Sequence, residues 1–259
     1  MHRLSTFDFR PATLRSHPSI SVIIPTHNEE TAIGPTLERL QSSSVREVIV
    51  VDGRSQDQTT RIARRHGARV VEAPPSRGRQ QDVGAAVASG DVFLFLHADT
   101  MLPDGFDRQV HRVLSRPGVA AGAFRLRIDA NGWSYRGLEF MIDLRSRLLQ
   151  LPYGDQAIFL KAEVFRRVGG FPHFAVMEDF ALVQRLRRVG RIALADAAVR
   201  TSARRWLKNG LWRTTLLNQA CLAAYCAGIS VDRIAGWRVR SSAKGDASLM
   251  SSTLAPQQD

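Results

Sequence analysis

Asp99 is the residue of this sequence best placed to bind a ligand. It follows an apolar run, Val92 to Leu96, and comes directly after His97 and Ala98. Such a run predicts a short strand that is buried on both faces. Open α/β sheets bind ligands at the carboxyl ends of their strands, so Asp99 is a candidate binding residue. Alternatively, Asp99 only caps a helix that begins near Pro103, because Asp is a favoured helix cap.

Two further predicted strands end in polar residues. Asp52 follows the strand predicted for Val45 to Val51, and Pro25-Thr26 closes the first strand of the chain. Parallel strands that follow one another through helices have their carboxyl ends at one edge of the sheet. We therefore expect these residues to lie near Asp99, and this convergence favours a ligand site over unrelated helix caps.

The first half of the chain alternates strand and helix patterns four times, which is typical of a parallel sheet with right-handed crossovers. The first helix is predicted to begin at Thr26 or Asn28, with Glu29 and Glu30 in its first turn. A loop is predicted from Ala73 to Arg79, before a helix that begins at Gln80. No glycine spacing matches a dinucleotide-binding fingerprint or a Walker loop.

The second half predicts a different mixture of elements. Val119 to Ile128 alternates apolar and charged residues, which predicts a strand with one solvated face. Helices are predicted for Trp133 to Leu149 and for Leu211 to Ala227, and another begins at Met177. Two short strands are predicted at 192–194 and 198–200. Residues 1–19 and 237–259 are predicted to be a disordered leader and tail around one folded domain, 20–236.

Composition limits the possible partners. The 259 residues carry a formal net charge of +12, which suggests nucleotide phosphates, nucleic acid or an acidic membrane. The apolar segment Leu211 to Ile229 is interrupted by polar residues and does not predict a membrane span. No signal peptide precedes it, so we expect a cytoplasmic protein. The basic and apolar residues from Arg204 to Arg213 suit peripheral contact with an anionic membrane at its inner face; a core helix with basic ends is the alternative.

Four segments in order resemble the inverting family 2 glycosyltransferases. They are Ser21 to Glu30, Val50 to Thr59, Phe95 to Thr100, and Gly170-Phe171-Pro172 followed by Glu178-Asp179. The resemblance covers residues 19–231. It implies the GT-A fold: a Rossmann-like, mostly parallel central sheet flanked by helices, with further helices at the C-terminus.

The resemblance also implies an activity and roles for residues. The protein would transfer a sugar from a UDP- or GDP-sugar to an acceptor hydroxyl with inversion. Asp99 would bind Mg²⁺ or Mn²⁺, which suit oxygen ligands. Asp179 would be the general base, with Glu178 as the alternative. The nucleotide would contact Pro25, Thr26, Glu29, Asp52, Arg77, Arg79 and His97. The alternative role for Asp52 and Glu29 is capping. The alternative for Arg77 and Arg79 is that they belong to a solvated basic loop.

The sequence departs from the family pattern at two points. His97 stands where the metal-binding triplet begins with an acid, so it would hydrogen-bond the nucleotide, ligate the metal or be structural. Arg204-Arg205-Trp206 stands in place of the Gln-x-x-Arg-Trp motif of polymerising members, which argues against processive synthesis. The segments Arg77 to Gln81, Tyr153 to Gln156 and Thr201 to Trp206 resemble a bacterial subgroup associated with radical-SAM and selenodomain proteins or with arsenosugar biosynthesis.

Two other classes of function fit parts of the pattern. A nucleotidyltransferase also joins an α/β sheet to acidic metal ligands, although no Gly-rich phosphate loop occurs near Pro25. The charge would also suit a nucleic-acid-binding protein with arginine-rich helices near Arg185 to Arg188. However, the basic residues are scattered and aromatic residues make up only 7% of the chain, so no nucleic-acid partner is expected.

Overall fold

The computed structural model describes residues 18–40, 42 and 44–237. The strands are β1 (Ile20–Thr26), β2 (Val45–Asp52), β3 (Arg69–Glu72), β4 (Val92–Phe95), β5 (Thr100–Met101), β6 (Val119–Asp129), β7 (Phe159–Lys161) and β8 (Arg191–Ser202). The helices are α1 (Ile33–Glu38), α2 (Thr59–Arg65), α3 (Arg77–Val87), α4 (Phe106–Leu114), α5 (Trp133–Leu148), α6 (Ala162–Arg167), α7 (Glu178–Val189), α8 (Arg204–Asn209) and α9 (Leu211–Cys226). A 3₁₀ turn covers Gly154–Gln156, and residues 231–237 are helical.

The strands form one sheet in the order β3-β2-β1-β4-β7-β6-β8-β5. β3, β2, β1 and β4 are parallel, as are β6 and β8, whereas β7 and β5 run antiparallel to their neighbours. The sheet is therefore α/β and mostly parallel, as predicted. The antiparallel strand β7 joins the parallel half of the sheet to the half that contains β6 and β8.

Helices cover both faces of the sheet, and alternate residues of the central strands contribute to two cores. Leu94 and Leu96 pack into one core with α1 and α4, while Phe93 and Phe95 pack into the other with α3, α6 and α7. β4 is fully buried, as its apolar run predicts, and its carboxyl end leads directly to His97. No helix in the described part of the chain is both long enough and apolar enough to cross a bilayer.

Three predicted boundaries in the first half were wrong. Pro25 and Thr26 belong to β1, where Pro25 lies beside Val51 of β2. α1 begins at Ile33 and not at Asn28, because the intervening loop is hydrogen-bonded to the loop after β2. α3 begins at Arg77 and not at Gln80, so Arg77 and Arg79 lie in its first turn and not in a loop.

The second half also differs from the sequence-based expectations. Residues 120–124 of β6 are buried on both faces because helices pack on each side, and only its last residues alternate with solvent. The two predicted short strands are one continuous strand, β8. Asp99 caps no helix, since α4 begins after Gly105. Of the leader and tail predicted for 1–19 and 237–259, residues 1–17 and 238–259 lie outside the described residues, and residue 237 is helical. Ser19, assigned to that leader, donates its N–H and Oγ to Asp91 at 2.8 Å each.

Candidate active site

The loops after β1 and β2 form a connected rim at the carboxyl edge of the sheet. The N–H of Asn28 donates to Ser55 Oγ at 2.8 Å, and Asn28 Oδ1 accepts from the N–H of Gln56 at 2.8 Å. Asn28 adopts a left-handed φ of 54°, which asparagine tolerates better than most residues. Each loop thus fixes the backbone of the other.

Asp52 ties this rim together. It is buried, and its carboxylate accepts from the N–H and Oγ of Ser55 at 2.8 and 2.6 Å and from Thr26 Oγ1 at 3.2 Å. These contacts give Asp52 the capping role that the sequence left open. The contacts also hold its carboxylate at the edge where Thr26 ends β1.

Gln80 is a buried support for the same edge that sequence reasoning missed. Its Nε2 donates to the carbonyl oxygens of Thr26 and Val51, both at 2.8 Å. Gly53 leaves the room for this contact, because a Cβ there would lie 3.1 Å from both Gln80 Nε2 and Thr26 O. The first turn of α3 thereby links the ends of β1 and β2.

Asp99 lies on the same edge and shares a cation with Glu29. Arg204 Nη2 lies 2.6 Å from Glu29 Oε2 and 3.4 Å from Asp99 Oδ2. These contacts raise the pKa of Arg204, chiefly through the hydrogen bond to Glu29. Both carboxylates are about three-quarters buried. Two carboxylates from different loops therefore point at one cationic group.

A cavity of about 110 Å³ opens beside Asp99. We call it the site cavity. It lies between the end of β4, the N-termini of α3 and α7, the 3₁₀ turn, the end of β8, and helices α8 and α9. Its lining includes Arg77, His97, Asp99, Tyr153, Asp155, Met177, Glu178, Asp179, Phe180, Thr201, Ser202, Arg205, Trp206, Asn218 and Cys221.

Asp179 faces this cavity with its carboxylate fixed by the backbone. Oδ2 accepts from the N–H of Gly154 at 2.8 Å, and Oδ1 accepts from the N–H of Phe180 at 2.7 Å. Met177, which precedes α7, adopts a left-handed φ of 66°. Such strained residues persist where the surroundings hold them, and they cluster at functional sites. The turn before α7 thus aims Asp179 into the cavity.

Glu178 differs from Asp179 in its surroundings. Its side chain is 5% exposed, and Oε1 lies 3.4 Å from Arg77 Nη1. Gly78, next to Arg77, packs so closely that a Cβ would lie 2.8 Å from the carbonyl oxygen of Pro172. Glu178 therefore holds the start of α3 against the start of α7.

His97 lies in surroundings that disfavour its charged form. Burial lowers its pKa well below the ordinary value of 6.5, and the positive charges of Arg77 and Arg205 lower it further. Its Nε2 is buried and has no hydrogen-bond partner among the described residues. The imidazole can therefore give one hydrogen bond to a ligand in the cavity, as donor or acceptor according to its tautomer.

Asp155 is a cavity carboxyl that sequence reasoning did not assign to the site. Burial raises its pKa above the ordinary value of 3.8; the positive charge of Arg145 opposes this shift, and the negative charge of Asp179 adds to it. Within the described chain, Asp155 Oδ1 is buried without a hydrogen-bond partner. Two carboxyl groups, Asp155 and Asp179, therefore lie on the same wall of the cavity.

The structure brings together half of the residues predicted for the site. Arg77, His97, Asp99, Glu178 and Asp179 line the cavity. Pro25, Thr26, Glu29 and Asp52 lie on the neighbouring rim, and Arg79 is exposed outside the cavity lining. The main lining residues that were missed belong to Tyr153 to Asp155 and Arg205-Trp206. Both groups lie in segments that stood out in the sequence only by resemblance.

The arrangement defines a class of protein. An α/β sheet presents carboxylates at the ends of β2 and β4, arginines converge on the same edge, and a fixed acid faces them across a cavity. Such a site can bind a phosphorylated ligand and remove a proton from a second substrate.

Comparison with known proteins agrees with this class. The model of "Glycosyl transferase family 2" matches residues 21–177. The O-antigen chain rhamnosyltransferase WbaN of Salmonella anatum is 27% identical in an alignment of length 212, and the match covers 71% of this chain and 66% of that protein. Because the family model matches more than half of its residues, the chain belongs to glycosyltransferase family 2.

Solved structures show the same fold. S. aureus TarS 1-349 with UDP-GlcNAc has a TM-score of 0.59 at 21% identity, over 71% of this chain and 58% of TarS. The mannosyltransferase PcManGT of Pyrobaculum calidifontis with GDP-Man and Mn²⁺ also has a TM-score of 0.59, at 20% identity, over 93% of this chain and 77% of that one. The expected GT-A fold is thus confirmed. The chain spans 66% of the rhamnosyltransferase and 58% of the TarS chain.

Proposed function

We propose that this chain transfers a sugar from a nucleoside-diphosphate sugar to an acceptor hydroxyl, with inversion and one sugar per cycle. The observation that carries the proposal is the site cavity, where the carboxylates of Asp99 and Asp179 lie with the guanidinium groups of Arg77 and Arg205. Family membership supports it, and so do structural neighbours that were solved with UDP-GlcNAc and GDP-Man.

The size of the cavity suggests which part of the donor it holds. Small-molecule sites usually have about 300–1,000 Å³, whereas this cavity has about 110 Å³. The cavity suits the transferred sugar and the acceptor hydroxyl. The nucleoside would lie along the open rim, near Thr26 and Asp52, with its diphosphate beside Arg77 and Arg205.

Asp99 is the residue that would hold a divalent cation. Two carboxylates, Glu29 and Asp99, converge on the guanidinium of Arg204, so this position already holds one positive charge. No group of three or more His, Cys, Asp and Glu side chains in the described residues is arranged to hold a metal. Mg²⁺ often binds through one or two carboxylates plus substrate phosphates, as Asp99 and the donor could supply. When bound, Mg²⁺ or Mn²⁺ would neutralise charge on the departing diphosphate.

Asp179 is the better of the two candidate bases. Its two backbone hydrogen bonds fix the carboxylate where it faces the cavity, and each oxygen retains a lone pair. Glu178 instead pairs with Arg77, which would weaken it as a base. The acceptor hydroxyl would give its proton to Asp179 as it attacks the anomeric carbon from the side opposite the diphosphate. His97 would hydrogen-bond the donor through Nε2 and not accept a proton.

The narrower expectations from the sequence stay proposals. We place the protein in the cytoplasm, with peripheral contact with an anionic membrane; the sequence assigned this contact to Arg204 to Arg213, where Leu207 and Trp212 are 69% and 67% exposed. The likeness to the arsenosugar-type subgroup rests on Tyr153 to Gln156 and Thr201 to Trp206. The nucleotidyltransferase and nucleic-acid alternatives are not favoured, because the matching relatives are glycosyltransferases.

The test is a screen that measures binding and release of the nucleoside diphosphate. We expect UDP- or GDP-sugars with Mn²⁺ to raise the melting temperature and to release UDP or GDP, whereas nucleoside triphosphates and oligonucleotides do neither. Asp99→Asn should abolish turnover. Asp104→Asn is the matched control, because Asp104 is 94% exposed and lies five residues along the chain. Stabilisation only by triphosphates or oligonucleotides, or full activity of Asp99→Asn, would contradict the proposal.

A further inference from the structure

On helix α5 the acidic side chains are buried, whereas large apolar side chains are exposed. Its two acids, Glu139 and Asp143, are 1% and 8% exposed, whereas Trp133, Phe140 and Leu148 are 85%, 64% and 70% exposed. Surface helices normally bury their apolar face and expose their charges. Packing against the rest of the fold therefore does not account for the apolar residues on the exposed side of α5.

The exposed apolar side chains form one stripe. At about 100° per residue, Trp133, Phe140, Met141, Leu144 and Leu148 fall within an arc of about 100°. We call these five residues the α5 face. Gly137 lies within the same arc and adds no polar group. Exposed apolar patches rimmed by polar residues are typical of interaction sites.

Positive charge lies beside the α5 face. Glu139 binds both Arg127 and Arg136, at 2.7 and 2.6 Å, so one carboxylate meets two guanidinium groups. These two arginine side chains are 46% and 48% exposed. The pairs leave an excess positive charge beside the stripe.

The same excess recurs one turn further along α5. Asp143 lies 2.7 Å from Arg125 and 3.7 Å from Arg147, and the Arg147 side chain is 55% exposed. Arg145 stacks on the ring of Tyr153, 3.5 Å from its centroid. α5 and the arginines of β6 that pair with it thus carry five arginines against two buried carboxylates.

We propose that the α5 face docks on an anionic phospholipid bilayer. Aromatic and aliphatic side chains flanked by arginines are typical of helices that lie in the membrane interface. A second copy of this chain fits less well, because a symmetric contact would bring together the arginines that lie beside each α5 face. This inference rests on the membrane contact proposed above but assigns it to α5, whereas the sequence pointed to α8 and α9.

Docking through α5 would place the membrane against a helix that contacts the wall of the site cavity. Besides the Arg145–Tyr153 stack, Ser146 Oγ donates to Gln156 Oε1 at 2.9 Å. The segment held in this way includes Gly154, which donates to Asp179. The membrane-facing helix therefore supports the wall of the site cavity from behind.

Vesicle co-sedimentation of the full chain tests the proposal. We expect binding to vesicles of phosphatidylcholine with 30% phosphatidylglycerol and none to phosphatidylcholine alone. Phe140→Gln with Leu148→Gln should lower binding at least tenfold, and Arg147→Gln roughly fivefold. Val189→Gln is the matched control, since Val189 is exposed at the end of α7. Melting temperatures would verify that each variant folds.

The alternatives give different results. The proposal is overturned if the wild-type chain binds no anionic vesicles, or if only Trp212→Gln with Leu216→Gln abolishes binding. It is also overturned if the α5 double variant converts a dimer to a monomer while vesicle binding stays unchanged. Release of UDP or GDP from a soluble donor is measured in parallel: its absence in the wild type would contradict the proposed function and leave the vesicle result standing.

Discussion

The guanidinium of Arg204 lies 3.4 Å from the carboxylate of Asp99 and also binds Glu29. The cation that would neutralise the diphosphate must compete with this arginine for Asp99. Arg204 begins the segment that replaces the Gln-x-x-Arg-Trp motif, so the departure from the family pattern brings a positive charge to the predicted metal position.

Arg204→Gln should therefore bind Mn²⁺ more tightly in the absence of nucleotide. Because a partly exposed ion pair contributes up to about 1 kcal/mol, we expect a gain of about two- to fivefold. Titration followed by electron paramagnetic resonance measures it. Arg200→Gln is the control, since Arg200 is 67% exposed and pairs with Asp129. Equal or weaker Mn²⁺ binding by Arg204→Gln would refute the competition.

Asp155 should make stability depend on pH. Its pKa is raised in the folded chain, so its stabilising effect is fully present below the ordinary value of 3.8 and is lost as the pH rises through the folded value. Asp155→Asn should therefore raise the melting temperature at pH 7.5, and this gain should shrink toward pH 4. Asp196→Asn, at a site 73% exposed, should show no such trend. A variant that melts lower than the wild type at pH 7.5 would speak against a destabilising Asp155 charge.

Gly84 tests how tightly α3 packs on the sheet. A Cβ at Gly84 would lie 2.5 Å from Ile23 Cγ2 and 3.0 Å from Val51 Cγ2. Gly84→Ala should lower the free energy of unfolding by about 1–3 kcal/mol, as overpacking does. Gly137→Ala on α5 is the control, because a Cβ there contacts nothing within 4 Å and alanine favours a helix. Chemical denaturation compares the two, and equal stabilities would contradict the packing.

The sequence predicted the parallel half of the fold because its signals are local. The apolar run of β4 and the acids that end β2 and β4 are read directly from neighbouring residues. The end of β1 was predicted too early, because proline usually ends a strand. The start of α1 was misplaced because the rim contacts between Asn28 and Ser55 outweigh the local capping signals.

The site was predictable only in part, because local signals do not reveal contacts between residues distant in sequence. Asp99 and Asp179 lie at the boundaries of predicted elements, where residue type and position indicate a role in the site. Arg204, by contrast, is 105 residues from Asp99 in sequence, and their contact depends on how β8 returns beside β5. The roles of Asp155 and of helix α5 depend on burial, which residue types alone do not reveal.

Inverting transfer with Asp179 as base can be tested by hydrolysis of the donor, which needs no known acceptor. Proton NMR would record the first anomer released when water replaces the acceptor. For an α-linked donor that the wild type hydrolyses, we predict that the β-anomer appears first. Asp179→Asn should bind the donor with unchanged affinity and lose about 10²–10⁴ in rate, whereas Asp196→Asn should match the wild type. First release of the α-anomer, or a wild-type rate for Asp179→Asn, would contradict the account.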